Sequence, residues 1–169
     1  MTTAQESLVP GDPRLIDSPI ARRLLDAPEL ARLAYVAMDG TPRVVPMGVV
    51  RSGSRLVMAT FAPSAKLRAL RARPEVALTI DRAGPPPEVL MVRGRAEVEE
   101  TGSVPPEYLE MQTRYYGPDQ AAAVAAEVAR VGARMARITV TPTWVNVLDF
   151  QTRFPQGLVD AGLAGQETS

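Results

Sequence analysis

The stretch Met58-Ala59-Thr60-Phe61-Ala62-Pro63-Ser64-Ala65-Lys66 holds the residues whose types and spacing best suit chemistry. A strand ends at Thr60, a short connection follows, and a helix opens near Ser64. The first turn of a helix has N–H groups without intrahelical partners and a partial positive charge, so it receives phosphates. Hydroxyls from Thr60 and Ser64 and the ammonium of Lys66 would complete such a cradle. Lys66 is the one lysine among nineteen basic residues; every other is arginine. A chain that otherwise uses the planar guanidinium keeps a compact point charge here. Each residue also has a plainer role: Lys66 as a solvated first-turn side chain, Ser64 as an N-cap, Thr60 as a strand-end residue. Arg43, just past Asp39-Gly40, is a second candidate for the same anion; its plainer role is a surface arginine at a strand start.

Composition narrows what that chemistry is. The chain has 169 residues, 46% of them hydrophobic, enough for one domain with its own core. It has no Cys and no His, which excludes a thiol nucleophile, a Cys-based zinc site, a Ser-His-Asp triad and imidazole metal ligands. No metal site is expected, and catalysis must rest on carboxylates, Tyr, Arg, Lys66 or an imported cofactor. Nineteen acidic residues balance the nineteen basic ones, which argues against nucleic-acid and anionic-membrane partners. The start of the chain lacks the basic and apolar segments of a signal peptide, and no stretch approaches a membrane span, so a cytoplasmic location is expected.

The elements that would position the candidates follow from pattern. Asp17-Ser18-Pro19 opens a helix that Pro28 ends. Leu30 to Met38 and Pro42 to Val50 flank Asp39-Gly40 as a hairpin, and Arg55 to Thr60 extends it to a three-strand meander. In that meander Arg43 lies on the middle strand, beside the strand ending at Thr60. Pro63 to Ala72 is a short helix with Leu67 and Leu70 on one face. Glu75 to Asp81 and Glu88 to Val98 are strands, and Gly94 within the second marks a bend or bulge. Pro105 to Tyr116 and Pro118 to Met135 read as helices; Arg137 to Thr141 and Trp144 to Phe150 read as the last strands. About six strands with short helices suit a small barrel better than a doubly wound sheet. Residues 1–16 are expected to be a flexible segment, 17–155 the folded domain, and 156–169 a flexible tail.

The ordered string Asp39-Gly40-Thr41-Pro42-Arg43-Val44-Val45-Pro46, Leu56-Val57-Met58-Ala59-Thr60, Ser64-Ala65-Lys66-Leu67-Arg68-Ala69-Leu70 and Arg73-Pro74-Glu75-Val76-Ala77-Leu78-Thr79-Ile80 resembles the pyridoxamine 5′-phosphate oxidase-like superfamily. The resemblance covers residues 30 to 100 well and 137 to 150 loosely. It implies an α+β fold, mainly β with helices: the FMN-binding split β-barrel with Greek-key connections. It implies a bound flavin mononucleotide, with the deazaflavin coenzyme F-420 as the alternative, and hydride transfer to or from a small organic substrate. Lys66 and Arg43 would meet the cofactor phosphate, with hydroxyls from Ser64 and Thr60. The backbone of Val44, Val45 and Pro46 would run beside the ring, and Met58, Ala59 and Phe61 would line the same groove. Members are homodimers with cofactor sites at the interface, so Trp144, and Arg153 less directly, would reach the partner's site; Trp144 equally suits core or dimer packing. Arg51, Arg55 and Arg68 would suit the acidic tail of F-420, or simply solvent.

The departures from the family are informative. The oxidase that makes pyridoxal phosphate has a Ser-Arg-Pro stretch and an Arg-x-His pair. This chain has no His, and Tyr115-Tyr116-Gly117-Pro118 does not match the former. Vitamin B6 oxidation is therefore not expected. A non-enzymatic flavin- or F-420-binding or sequestering protein is the alternative to the oxidoreductase.

Overall fold

The computed structural model describes residues 8–164. Residues Pro13–Asp17 form a 3-10 turn capped by Asp12, whose carboxylate accepts the Arg14 N–H. Helix α1 (Pro19–Asp26) begins at Ser18, whose hydroxyl accepts the Ala21 N–H at 3.2 Å, with Pro19 placed where no donor is needed. Strands β1 (Ala31–Val36) and β2 (Pro42–Met47) form the expected hairpin. Then come β3 (Val50–Ser52), β4 (Arg55–Phe61), α2 (Ala65–Ala72), β5 (Glu75–Arg82), β6 (Glu88–Thr101), α3 (Pro106–Tyr116), α4 (Pro118–Arg130), β7 (Met135–Leu148) and α5 (Gln156–Asp160).

The seven strands form one antiparallel sheet in the order β2-β1-β5-β6-β7-β4-β3. Strands β5, β6 and β7 are sequential neighbours, and β4 sits beside β7, the Greek-key connection expected. The sheet does not close by hydrogen bonding. Its two edge strands, β2 and β3, are nonetheless joined by only Gly48 and Val49, so the sheet must curl until its edges meet. This is an α+β split barrel. Pro42 and Pro46 lie on the edge strand β2, where a missing N–H costs no ladder bond.

Three local readings are corrected. Pro42 to Val50 is two strands rather than one, broken at Gly48-Val49, so Arg43 lies on an edge strand and not in the middle of a meander beside β4. The two final strands are one continuous β7. Its pairing with β6 slips at Thr143, between Arg93↔Trp144 and Gly94↔Pro142, which is the bulge that Gly94 foreshadowed. A Cβ on Gly94 would lie 2.4 Å from the Thr141 carbonyl oxygen, so only glycine fits. Residues 13–16, expected within a flexible segment, belong to the folded unit: Leu15 and Ile16 are buried in the main core. Residues 1–7 lie outside the described residues. The segment after Gln156 starts as helix α5, and residues 165–169 are also outside.

Alternation along the strands divides the core. In β4, Leu56 and Met58 face the barrel interior with Leu33, Leu70, Ile80, Leu90 and Ile138. Val57 and Ala59 face outward, under Met111 of α3 and Val128 of α4. The helical pair α3–α4 thus covers the back of β4, while α1 and α2 sit against β6 from its two ends.

Candidate functional site

The connection from β4 to α2 builds the site. Ser64 occupies the N-cap position of α2 with extended backbone, yet its hydroxyl makes no capping bond. Ser64 Oγ is buried and has no hydrogen-bond partner among the described residues. A buried hydroxyl left unpaired costs about 1–3 kcal/mol, so its presence at a helix opening suits an external acceptor or donor. The plainer reading of Ser64 as a cap is not what the geometry adopts. Two residues on, Lys66 is half-buried and has neither an ion pair nor a side-chain hydrogen bond among the described residues. Burial pushes its ammonium below the usual lysine range. Most arginines of this chain, by contrast, are matched to carboxylates: Arg71 binds Glu100 at 3.0 Å, and Arg137 binds Glu107 at 3.0 Å.

Two cavities flank α2. One, of about 510 Å³, is lined by Pro63, Ser64, Ala65, Leu67, Arg68, Arg71 and Glu100. The other, of about 270 Å³, is lined by Tyr35, Ala37, Met38, Asp39, Arg43, Ala65 and Arg68. Arg43 therefore does reach the α2 opening, through barrel curvature rather than through strand pairing. It is aimed from the hairpin: its guanidinium donates to Asp39 at 3.0 Å, to the Pro42 carbonyl at 3.2 Å and to the Thr41 hydroxyl. Asp39 also accepts from the Thr41 hydroxyl and N–H, bonds that, with Arg43, hold its carboxyl below the usual range. Arg68, unpaired among the described residues, lines both cavities and joins them. The helical period put Arg68 on the outward face, but its approach to Arg43 needed the tertiary fold.

The remaining candidates divide by strand alternation. Met58 is fully buried in the barrel core, and Ala59 is buried beneath α3–α4, so their side chains do not share a groove. Phe61 is 46% exposed and meets Tyr108 edge-on at 6.1 Å, at the end of β4 next to the Ser64 connection. Thr60 pairs with Ala136 and is half-buried; it lines neither of the two α2 cavities. Val45 packs toward the core, while Val44 and Pro46 are exposed on the opposite face of β2.

Val44 meets Trp144 elsewhere. Both line a groove of about 310 Å³ on the outer sheet face, with Arg32, Ala34, Thr79, Met91 and Arg93. The Arg93 guanidinium stacks over the Trp144 ring at 4.3 Å. Gly11 backs the indole: a Cβ there would stand 2.9 Å from Nε1, and its φ of +101° favours glycine in any case. The structure therefore places Ser64 with Arg68 at one α2 cavity and Arg43 with Arg68 at the other, leaves Lys66 on the first turn outside the lining of both, and sets Val44 and Trp144 on a second surface.

This chain belongs to the pyridoxamine 5′-phosphate oxidase family, whose model matches residues 19–149. Among solved structures it is similar to an F420 reductase at 28% identity, covering 74% of this chain and 94% of that one, with a TM-score of 0.57. A putative pyridoxamine 5′-phosphate oxidase from Listeria innocua shares the fold at 19% identity, with 76% and 94% coverage and a TM-score of 0.55. So does the heme storage protein HutZ from Vibrio cholerae, at 14% identity, with 78% and 93% coverage and a TM-score of 0.57. No curated protein sequence matches the chain. The flavin-binding split barrel is thus the class that fold and family define.

Proposed function

We propose that this protein is an oxidoreductase that binds flavin mononucleotide, or alternatively coenzyme F-420, with the cofactor phosphate at the opening of α2. The observation that carries the reading is the pairing of a buried, partnerless Ser64 hydroxyl with an uncompensated, half-buried Lys66 in the first turn of one helix. Both anomalies are relieved by a phosphate: the hydroxyl gains a partner and the ammonium a counter-charge. Arg68, unpaired among the described residues, supplies further positive charge from both cavities, and Arg43 adds donors beside its partner Asp39. Similarity to an F420 reductase supports the deazaflavin alternative.

The bound ring would carry hydride to or from a small organic substrate; the protein binds it, orients it and excludes water. Lys66 and Ser64 hold the phosphate. Arg43, held by Asp39 and Thr41 on its own hairpin, faces the adjoining cavity. The chain works as a cytoplasmic homodimer whose outer sheet face, with exposed Val44 and half-buried Met91 and Trp144, forms the interface that shelters the ring. Titration with each cofactor, followed by its absorbance, tests the reading. Binding of at least one is expected well below millimolar; if neither binds better than about 1 mM, a gain of only about 4 kcal/mol, the assignment is wrong.

One observation favours a second reading, a non-enzymatic flavin- or F-420-binding or sequestering protein. The acids lining the α2 cavities are already engaged, Asp39 with Arg43 and Glu100 with Arg71 and Arg134. Among the described residues no unpaired carboxylate stands there to assist a proton transfer. Turnover with a reductant and an electron acceptor separates the two: a carrier holds the cofactor and shows none.

A further inference from the structure

A cavity larger than either of those at α2 lies elsewhere in the fold. It has a volume of about 860 Å³ and opens between the 3-10 turn, the start of α1 and the loop that follows β7. Such a volume falls within the range of small-molecule sites, about 300–1,000 Å³. It stands at the other end of the barrel from the phosphate site. Its Arg23 binds Glu88 at the first residue of β6, whereas Arg71 of α2 binds Glu100 near the last. On the order of 40 Å of strand separates the two.

We infer that this cavity is a second ligand site, for a small monocarboxylate with an apolar body. Its walls are Leu8, Leu15, Pro19 and Ile20, a surface for hydrocarbon. Its charge is positive. Three guanidinium groups, Arg14, Arg23 and Arg153, line it against two carboxylates, Asp17 and Asp149, and Asp17 is already shared by Arg22 and Arg51. Arg153 is the anchor. It is half-buried, and its guanidinium donates only to carbonyl oxygens, to Leu8 at 2.8 Å and Val147 at 3.3 Å. No carboxylate pairs with it among the described residues. A half-buried cation satisfied by dipoles alone gains from a carboxylate, which accepts from the guanidinium fork in two parallel bonds.

The loop that holds Arg153 is built for position. Asp149 accepts the N–H groups of Gln151 at 3.0 Å and of Thr152 and Arg153 at 2.8 Å, and the Thr152 hydroxyl at 2.7 Å. The N–H groups of Asp149 and Phe150 in turn donate to the Arg153 carbonyl at 3.1 Å. Phe150 takes a left-handed φ of 55°, a conformation a bulky residue adopts only when its surroundings impose it. The Asp149 carboxylate is thus held by its own loop and makes no ion pair with the Arg153 guanidinium.

Calorimetric titration of the full chain with octanoate, and with octanol as the uncharged match, tests this site. Octanoate is expected to bind with a Kd below about 1 mM, and octanol at least about tenfold more weakly. Arg153→Gln should reduce octanoate affinity about tenfold and leave octanol unchanged, while Lys66→Ala should change neither. Arg14→Glu, on a mostly exposed side chain at the rim, should also weaken octanoate; it decides the matter if Arg153→Gln does not fold. Equal binding of octanoate and octanol, an octanoate signal that both arginine variants leave intact, or one that Lys66→Ala removes would each overturn the assignment. So would the absence of binding at millimolar octanoate.

Discussion

Lys66→Ala should move stability and cofactor affinity in opposite directions. In the protein without cofactor, Lys66 is an uncompensated cation in the first turn of α2, half-buried and with its proton affinity lowered by that burial. A positive charge at a helix N-terminus is unfavourable by about 0.3–1 kcal/mol. Removing it should leave the apo melting temperature unchanged or raise it, by up to about 3 °C for a chain of this size. With cofactor the sign reverses. Loss of one charge-assisted contact to phosphate costs about 1.5–3 kcal/mol, so affinity should fall about ten- to a hundredfold. Lys66→Arg should keep part of it, since the charge survives with a different donor geometry. Ser64→Ala should behave alike: its hydroxyl makes no capping bond, so apo stability does not suffer, but a phosphate partner is lost. The lowered lysine pKa adds a pH signature. Between the folded value and the unfolded 10.5 the unfolded chain holds more protons, so stability rises with pH across that window. Phosphate restores the charged form, so binding in that window should take up protons and the rise should flatten. Apo melts, cofactor titrations and buffers of different ionisation enthalpy measure all of this. Affinity for both cofactors within twofold of wild type in Lys66→Ala and Ser64→Ala would refute the argument, and with it the placement of the site.

Other perturbations reach the rest of the molecule. Gly94→Ala forces a Cβ against the Thr141 carbonyl; such overpacking costs about 1–3 kcal/mol, and the melting temperature should drop by about 2–12 °C. Asp149 is buried, which alone would raise its pKa, but hydrogen bonds from the Thr152 hydroxyl and three backbone N–H groups prevail and lower it from 3.8 to about 2. Its stabilisation, about 2 kcal/mol, is complete above pH 3.8 and is lost as pH falls through about 2. The stability gap between wild type and Asp149→Asn should close over that interval in denaturant titrations at stepped pH. Val44→Glu places a charge on the exposed outer face of β2; if the proposed dimer forms through that face, sedimentation should show it dissociating at least about tenfold more readily, and an unchanged distribution would remove that face from the proposed interface.

Local signals in the chain foretold local structure. Ser18-Pro19 opens α1 because a hydroxyl cap and a donor-free first position have one favourable arrangement. Asp39-Gly40 makes the β1–β2 turn, where Asp39 also binds Thr41. Gly94 marked the bulge because no other residue tolerates the approach of β7. Ser64 and Lys66 stood out as candidates for an anion because helix-end electrostatics depend on neighbours in sequence. Strand order was not legible. Pairing of β4 with β7 and of β1 with β5 depends on contacts between residues far apart in the chain, which no short window contains. The break at Gly48-Val49 was missed because both halves are apolar strand formers, and it moved Arg43 to an edge.

By itself, then, the sequence determined that no thiol or imidazole takes part, which leaves carboxylates, Tyr, Arg, Lys66 or an imported group, and it marked the start of α2 as the place to look for an anion. Only the tertiary structure decided who shares that opening. Barrel curvature carries Arg43 to α2, and strand alternation sends Met58 into the core and Ala59 under α3–α4. It also decided that Arg153 has no carboxylate partner among the described residues beside the 860 Å³ cavity. The reason is physical: hydrogen bonds near in sequence are encoded by residue type, whereas the facing of a side chain and the charge around it are set by strands paired across the whole chain.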